Sequence, residues 1–479
     1  MNAVATLDDR LGRQPVVHAV RTGLATHQGT WIVGGALRDA LLDPGPLGDL
    51  DLAVRGDAAE AARSIAKSGG HAAFPLSEEF GSWRVVGDGW LCDLTPMQGS
   101  GIEDDLALRD FTINAMALPL YGGALVDPHD GLQDLANRTL RLVATDAYDR
   151  DRLRPLRLVR LATELGFAVA PDTATATREW GPRVTDAAGE RVFAELRRVI
   201  SAPRVVEGLK LASDLKVLGA VLPELERLQG IEQSHYHHLD VYEHTLEVLT
   251  ALLQIDAHLA DYFPDAAQEL RVVLDEPLAD DLTRGQALRF AALTHDIGKA
   301  DTRRLTDSGR VTFIGHDSVG AEMVRKLSSR LRTSERLREF LARITEHHLA
   351  LGFLVHDRPL SKRTVYRYLK MCSPVEVEVT LLTCADRIAT RGRNADEAIA
   401  KHLELARELM APALAWRTQG PPRAPLRGNE LASELGIEPG PDLGRLISEL
   451  EEASYAGEVT NADQAVEYAR RLRENSPQT

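Results

Sequence analysis

The hydrophobic pattern of this chain changes its period once, near residue 140. Residues 28–140 contain short apolar runs separated by Gly and Asp turns, such as GDLDLAV and FTINAMALPL, which is typical of short strands joined by turns and helices. From residue 141 onward the apolar residues recur at the 3.6-residue spacing of amphipathic helices, as in LRLVRLATELGF. We therefore expect an α+β or α/β head followed by a helical remainder.

The length of 479 residues suggests about three domains, and the pattern divides the chain into four parts. A Pro/Gly-rich joint at 419–428 marks the last of them. The predicted parts are a head at 1–140, a helical neck and body at 141–230, a His-rich helical domain at 231–395 and a helical tail at 396–479.

Cysteine content and hydropathy exclude several classes of protein. Three widely separated cysteines without a CxxC pair rule out a disulfide scaffold and a cysteine zinc site, and they fit a reducing compartment. The first residues lack the basic start and apolar core of a signal peptide. No run approaches the roughly 18 apolar residues of a membrane span. We expect a cytoplasmic protein that does not contact membranes.

The net charge of −15 makes the whole surface unattractive to nucleic acid, so any such contact must be local. The segment 150–160 reads RDRLRPLRLVR and holds five arginines against one acid. Ten of the fifteen histidines fall between His235 and His356. These two asymmetries mark where chemistry is expected.

Two aspartates alternate with leucines in GDLDLAV. Residues i and i+2 of a strand share a face, so Asp49 and Asp51 project together, and paired carboxylates suit Mg²⁺ bound to a phosphate substrate. The alternative is a solvated edge strand. The preceding WIVGGALRD reads as a strand, two glycines and a helix. Gly34 and Gly35 let backbone N–H groups approach a phosphate, and Arg38 in the first helical turn reaches the same anion.

Asp93 lies in the middle of another apolar run, WLCDLTPM. A buried mid-strand acid is costly unless it is paired or faces a metal. Asp93 is therefore the candidate third carboxylate, with an edge-strand position as the alternative.

The motifs GGALRD, DLDL, LRDFTINAMA (108–117), DPHDGLQDL (127–135) and DRLRPLRLVRLATELGF (151–167) occur in that order. This series resembles the class II nucleotidyltransferases of the polymerase β superfamily, which comprise bacterial tRNA CCA-adding enzymes and poly(A) polymerases. The resemblance implies an α+β fold, with a small polymerase β-like head built on a mixed sheet and an all-helical neck and body.

The resemblance also implies residue roles. Asp49 and Asp51 would hold catalytic Mg²⁺, with Asp93 as the third acid, and Gly34, Gly35 and Arg38 would hold the triphosphate. The incoming ribose and phosphates would contact Arg109 and Asp110, with Asn114 nearby. The base would be read by Asp151 and Arg154, neighbours at i and i+3, while Arg157 and Arg160 line the nucleotide pocket and guide the RNA 3′ end.

The chain departs from the family pattern at four places. Arg150 and Leu108 stand where the family usually has Glu and Arg, and Pro155 predicts that the helix begins only near 152–154. The connection between Asp93 and Arg109 is short. Members that add only the two cytidines characteristically lack a longer loop here, so CC-addition is an alternative to CCA-addition.

A second motif series lies in the His-rich domain and resembles the HD phosphohydrolases. A lone histidine on a helix is more often structural than a ligand, but this ordered set keeps HDxGK intact. The implied metal ligands are His244, His295, Asp296, His316, His347 and Asp386. His348 is an alternative to His347. Such a set suits Mn, Ni, Co, Fe or Zn, or Mg²⁺. An HD domain used only as a scaffold is the alternative to an active one, and His235, His237 and His238 are interpreted as linker or RNA contacts.

The sequence therefore predicts a tRNA nucleotidyltransferase that adds CCA, or only CC, to the tRNA 3′ end from CTP and ATP without a nucleic-acid template. Its HD domain carries a further phosphohydrolase activity, since such domains in related proteins are 2′,3′-cyclic phosphodiesterases and phosphatases. The alternatives are a poly(A) polymerase, a hydrolase acting mainly through the HD domain, and a guanosine-alarmone enzyme. The tail would grip the tRNA elbow or serve packing alone, and the oligomeric state is left open.

Overall fold

The computed structural model describes residues 3–43, 45–78, 81–233, 239–392 and 395–474. The chain forms two compact units, Met1–Val221 and Leu222–Thr479. The finer division into four parts stays a prediction. None of the helices in the described ranges is both long and apolar enough to cross a membrane.

Unit 1 is built on a six-stranded mixed sheet with the strand order β3-β4-β5-β2-β1-β6. Only β2 and β5 pair in parallel, and the other four pairings are antiparallel. The strands are β1 (Thr30–Val33), β2 (Asp49–Val54), β3 (Ala72–Ser77), β4 (Ser82–Val86), β5 (Leu91–Pro96) and β6 (Ala117–Pro119).

The alternation of DLDLAV determines how the central strand β2 lies in this sheet. Leu50 and Leu52 are each 1% exposed. On the opposite face, Asp49 is exposed and Asp51 is half-buried. A one-residue shift would bury both carboxylates, so the pattern fixes the register.

Twelve helices accompany the sheet among the described residues of unit 1. They are α1 (Ala3–Gly12), α2 (Pro15–Gly23), α3 (Gly34–Leu42), α4 (Ala58–Gly69), α5 (Ile102–Ala107), α6 (Gly131–Ala136), α7 (Ala147–Arg150), α8 (Arg154–Leu165), α9 (Pro171–Trp180), α10 (Gly189–Ser201), α11 (Val205–Asp214) and α12 (Leu218–Val221), with 3₁₀ turns at Thr112–Asn114 and Gly181–Asp186.

The neck is mostly helical, and a two-residue strand departs from the expected all-helical pattern. A two-residue parallel pair joins β7 (Thr139–Leu140) to β8 (Ala168–Val169). Through this pairing, the segment that follows α8 lies beside the last strand of the head. Local periodicity does not reveal a pairing between residues so far apart in the sequence. The predicted helix start is confirmed, since α8 begins at Arg154 with Pro155 in its first turn.

Unit 2 is predominantly helical among its described residues. Its helices are α13 (Pro223–Glu226), α14 (Val241–Ala257), α15 (Leu259–Tyr262), α16 (Ala267–Asp275), α17 (Arg284–Thr294), α18 (Lys299–Thr302), α19 (His316–Arg330), α20 (Glu335–His347), α21 (Ala350–Leu354), α22 (Lys362–Cys372), α23 (Glu376–Ala389), α24 (Ala395–Gln419), α25 (Gly428–Leu435), α26 (Pro441–Ala456) and α27 (Ala462–Glu474).

Two short antiparallel ribbons interrupt this helical unit. One pairs β9 (Pro277–Ala279) with β10 (Leu282–Thr283), and the other pairs β11 (Arg304–Leu305) with β12 (Val311–Thr312). The last three helices, α25–α27, share a small core of their own that includes Leu431, Leu446 and Leu450, each fully buried.

Candidate functional sites

A cavity of about 800 Å³ lies in unit 1 against strands β2 and β5 and the start of α3. Asp49, Asp51 and Asp93 all line it. Asp51 and Asp93 face each other in the register of the parallel pair β2–β5, so neighbouring strands bring the three predicted acids to one wall. This face is the site that the sequence motifs indicate.

The environment of Asp51 fits a bound cation. Burial raises the pKa of Asp51, and the charge of Asp93 raises it further, while Arg109 and the N–H groups of Ala36 and Gly35 oppose the rise. A carboxylate that resists ionisation is stabilised by a bound divalent ion. An all-oxygen donor set is the one that Mg²⁺ prefers.

Arg84 is a residue that the sequence analysis missed. Its Nε donates to Oδ1 of Asp93 at 2.7 Å and its Nη2 donates to Oδ2 at 2.8 Å. The antiparallel pairing of β4 with β5 sets Arg84 opposite Asp93. The third acid is therefore held in place by a bidentate pair. The only sequence cue was an arginine within the apolar strand SWRVV.

The glycine turn leaves room for the acids. Gly34 adopts a positive φ of 66°, and a Cβ there would lie 3.1 Å from Oδ2 of Asp51 and 3.2 Å from Nη1 of Arg109. Helix α3 begins at Gly34 itself. Arg38 therefore lies in the second turn, not the first, and its Nη1 donates to Oδ1 of Asn114 at 2.9 Å.

Asp110 is the buried centre of the next group. Its burial opposes ionisation, but Arg157, Asn114 and Arg154 lower its pKa to about 2. Asn114 Nδ2 donates to it at 3.0 Å and Arg157 Nη1 at 3.1 Å. Arg109 pairs with Asp105 at 2.9 Å. Arg109, Asp110 and Asn114 all line the cavity.

The structure does not show the expected direct pairing of Asp151 with Arg154. Arg154 donates to three backbone carbonyls, at Leu108, Arg109 and Ala147. Asp151 pairs with Arg191 at 2.9 Å and accepts the N–H of Leu153. Because α8 begins at Arg154, Asp151 precedes the helix, and the i, i+3 neighbour relation does not hold between them. Arg154 lines the cavity.

Helix α10 supplies two cavity residues that the sequence analysis also missed, Glu195 and Arg198. Glu195 pairs with Arg157 and Arg160, so the basic run 150–160 is partly neutralised from a neighbouring helix. The cue was the i, i+3 spacing of these two charges on a strongly amphipathic helix.

Unit 2 brings the predicted histidines and aspartates into two adjoining clusters. In each cluster the ligand atoms lie within 4.8 Å of one another. The first consists of His244, His295 and Asp386, and the second consists of Asp296, His316 and His348. The predicted linker residues His235, His237 and His238 lie outside the described residues.

Three imidazoles are held in the tautomer that suits a metal. The Nδ1 atoms of His295, His316 and His348 each donate to the carbonyl three residues earlier, at 2.8, 2.8 and 2.6 Å. In the neutral ring, which is the form that binds a metal, each Nε2 then presents a lone pair. Nε2 of His295 and Oδ1 of Asp296 are buried without a hydrogen-bond partner in the described part of the chain. This nitrogen and oxygen set fits a transition-metal ion.

The structure places His348, and not the expected His347, in the second cluster. Successive helical residues point about 100° apart, and at the end of α20 it is His348 that is 2% exposed and 3.2 Å from His316. Burial, with His295 nearby, lowers the pKa of His348 to about 4. His347 is half-buried on the neighbouring face.

The acids of these clusters stay ionised despite their burial. Burial opposes the charge of Asp296, but His295 and Lys299 hold its pKa well below the usual range. Lys299, the lysine of the HDxGK motif, donates to Asp296 at 2.7 Å. His244 donates to Asp386 at 3.0 Å and lowers the pKa of that carboxyl against the effect of burial.

Comparisons with known families match domains in both units of the chain. The poly A polymerase head domain matches residues 30–141, the probable RNA and SrmB-binding site of polymerase A matches 166–228, and the HD domain matches 241–391. The fold and the acid site define a polymerase β-type nucleotidyltransferase that carries an HD domain. Domains of both types bind divalent metals.

The chain is 36% identical to the A-adding tRNA nucleotidyltransferase of Deinococcus radiodurans, over 94% of this chain and 96% of that protein. It is 34% identical to the CC-adding tRNA nucleotidyltransferase of Thermus thermophilus, over 90% and 91%. This chain belongs to the tRNA nucleotidyltransferase family. The Bacillus stearothermophilus CCA-adding enzyme in complex with CTP shares the fold, with a TM-score of 0.62, 20% identity and coverage of 96% and 98%.

Proposed function

We propose that the head of this chain adds nucleotides from CTP and ATP to the 3′ end of tRNA, with Mg²⁺ held by Asp49 and Asp51. The observation that carries this proposal is the single cavity shared by three carboxylates, the glycine turn and the arginines of α3 and α8. Bound Mg²⁺ supplies Lewis acidity toward the triphosphate oxygens.

The side chains divide the remaining work. Arg38 and Arg109 offer positive charge to the triphosphate beside the N-terminus of α3. Arg84 orients Asp93 next to Asp51. The wall formed by Arg154, Arg157 and Arg160 holds the incoming nucleotide and the end of the RNA.

The number of nucleotides added is a finer proposal. Only residues 97–101 separate β5 from α5. Gln98 N–H donates to Asp105, and Ser100 N–H donates to Asp104 at 2.7 Å. This short connection, held by two hydrogen bonds, supports addition of the two cytidines. The names of the relatives do not decide the question, because one is named for adding A and another for adding CC.

The test is incorporation on one tRNA that ends at the discriminator base, at C, or at CC. Each form is incubated with CTP, ATP or both in Mg²⁺. Addition of two cytidines and no A means a CC-adding enzyme, addition of A to the CC form alone means an A-adding one, and C, C and A in turn means full CCA addition. Long A tails mean a poly(A) polymerase.

Substitution of the acids tests the site itself. We expect Asp49→Ala and Asp51→Ala each to slow incorporation by more than about a hundredfold. Asp88, an exposed aspartate in the β4–β5 turn, is the matched control. Normal incorporation by Asp51→Ala would refute the proposed site.

We also propose that the HD domain is a phosphohydrolase for 2′,3′-cyclic phosphodiesters and phosphate monoesters. The three fixed imidazole tautomers carry this proposal, since a scaffold has no need of them. A bound transition metal or Mg²⁺ supplies Lewis acidity toward a phosphoryl oxygen. Hydrolysis assayed with Mn²⁺, Ni²⁺, Co²⁺, Fe²⁺, Zn²⁺ and Mg²⁺ should persist in Asp51→Ala and vanish in Asp296→Ala. No hydrolysis with any ion would refute it.

A further inference from the structure

A second cavity, of about 460 Å³, adjoins the HD clusters in unit 2. Asp386 from the first cluster and His348 from the second both line it. A molecule in this cavity therefore lies beside the metal-holding residues. Its volume falls within the usual range for small-ligand pockets, which is roughly 300–1,000 Å³.

Part of the cavity wall comes from α24, which begins at Ala395, beyond the HD match that ends at residue 391. From this helix Lys401 and His402 line the cavity. His402 is only 5% exposed, and its Nε2 has no hydrogen-bond partner within the described ranges. A buried polar atom without a partner is destabilising, and a ligand that bonds to it removes the penalty.

Arg387, on α23, also has a buried polar atom that a ligand in the cavity could bond to. It lines the cavity directly after the ligand Asp386, and its Nε is also buried with no partner among the residues described. Lys401 adds a second cation at the rim, where its Nζ donates to Glu397 at 2.7 Å. Glu397, which lines the same cavity, balances the charge of Lys401, so Arg387 is the cation available to an anion such as a phosphate.

His402 contributes hydrogen bonding and not charge. Burial lowers its pKa to about 4, which Arg387 reinforces and Asp386 opposes. A neutral imidazole nitrogen pairs well with a hydroxyl group. Leu349 and Val355 add apolar surface to the cavity. The lining therefore offers an anion contact, a hydroxyl contact and an apolar contact.

We propose that Arg387 and His402 form the substrate-binding wall of the HD site, which takes a phosphate ester carried on a ribose. Arg387 binds a phosphate oxygen and Nε2 of His402 binds a ribose hydroxyl. This assignment rests on the proposed phosphohydrolase function. The ribose phosphate is either a free mononucleotide or the 3′ end of an RNA.

The test compares wild type, His402→Ala, His402→Gln and Arg387→Gln, each loaded with Mn²⁺. His258→Ala is the matched control, because that histidine lies in the same unit with its side chain 65% exposed. Binding of 3′-AMP is measured by calorimetry, metal content by elemental analysis, and hydrolysis with 3′-AMP, an RNA ending in a 3′-phosphate, and p-nitrophenyl phosphate. The head is the same in all variants, so differences report the HD cavity.

We expect His402→Ala to weaken 3′-AMP binding about five- to tenfold, to retain bound metal, and to slow p-nitrophenyl phosphate turnover less than 3′-AMP turnover, since that probe has no ribose. His402→Gln, which retains a donor, should bind more tightly than His402→Ala. Arg387→Gln should impair all three substrates. A larger His402→Ala effect on the RNA than on 3′-AMP identifies the RNA end as substrate, and the reverse identifies a mononucleotide.

Unchanged 3′-AMP binding in His402→Ala would overturn this inference, and so would loss of bound metal. If His402→Ala does not fold, wild-type affinity in Arg387→Gln overturns it. A wild-type protein that hydrolyses nothing, yet binds 3′-AMP in a His402-dependent way, refutes the hydrolase proposal and retains the binding wall.

Discussion

Nε2 of His316 lies 3.2 Å from Nε2 of His348, and in both rings Nδ1 donates to a backbone carbonyl. In the unprotonated form that binds metal, rings held in this way point lone pairs at each other, an arrangement that a cation between them stabilises. Asp296 Oδ1 lies 3.3 Å from the first ring and 3.7 Å from the second. The pair is therefore arranged for a metal ion.

Adjacent histidines give a sharp test of this arrangement. His348→Ala should lower the affinity for Mn²⁺ or Ni²⁺ by more than about tenfold, while His347→Ala should retain wild-type affinity because its ring lies outside the cluster. Equilibrium dialysis followed by elemental analysis measures both. Equal losses in the two variants would contradict the assignment.

The glycine turn of the head can be tested against a turn with the same backbone conformation. Gly34 and Gly89 have φ of 66° and 74°, so alanine costs each about 1 kcal/mol of backbone strain. Only at Gly34 does the added Cβ meet Asp51 and Arg109. We expect Gly34→Ala to slow incorporation at least about tenfold more than Gly89→Ala, measured by single-turnover addition. Similar rates would show that the turn tolerates a side chain.

Arg154 should be irreplaceable by lysine. One ammonium cannot reach the carbonyls of Leu108, Arg109 and Ala147 together. We expect Arg154→Lys to lower the free energy of unfolding by about 1–3 kcal/mol and to raise the KM for nucleotide. Arg152→Lys, where the arginine pairs with Asp149 near the surface, should change stability by less than about 1 kcal/mol. Urea denaturation and initial rates measure both, and matching effects would argue against the bridging role.

Glu376 should make the stability of unit 2 depend on pH. Burial, with Glu378 adding to it, raises its pKa from 4.5 to about 7, so the folded protein holds this proton more tightly than the unfolded chain. The contribution of Glu376 to stability should therefore fall as the pH rises from about 4.5 through 7, by roughly 3 kcal/mol. His348 and His402, whose pKa values are lowered to about 4, act in the opposite sense over part of this range, so the variants are compared with the wild type at each pH. In denaturation of metal-free protein, the unfolding free energy of Glu376→Gln relative to wild type should rise by about this amount across the range, while that of the exposed control Glu247→Gln relative to wild type should stay constant. A wild-type slope in Glu376→Gln would exclude Glu376 as its source.

Much of both sites could be predicted from the sequence, because a motif fixes residues that are close along the chain. The alternation of Asp49 and Asp51 gave the shared face, and the family resemblance and the α+β fold are confirmed. Long-range partners could not be predicted. Arg84 meets Asp93 only through the pairing of β4 with β5, and Glu195 reaches Arg157 from another helix.

The sequence also could not predict in which direction side chains point at the end of a helix. His347 and His348 differ by one position, and only the termination of α20 decides which ring turns inward. The start of α8 likewise separates Asp151 from Arg154, although the spacing suggested a pair.

The parallel register that sets Asp51 beside Asp93 also limits how this enzyme can be altered. The two strands are joined through α4, β3 and β4, so a residue inserted within β2 or β5 would rotate one acid to the opposite face, whereas an insertion in an outer turn would leave their alignment intact. A tag or a longer loop is therefore best inserted in the turns at Gly70 and Gly89, where an added Cβ meets no neighbouring atom, and not within β2 or β5.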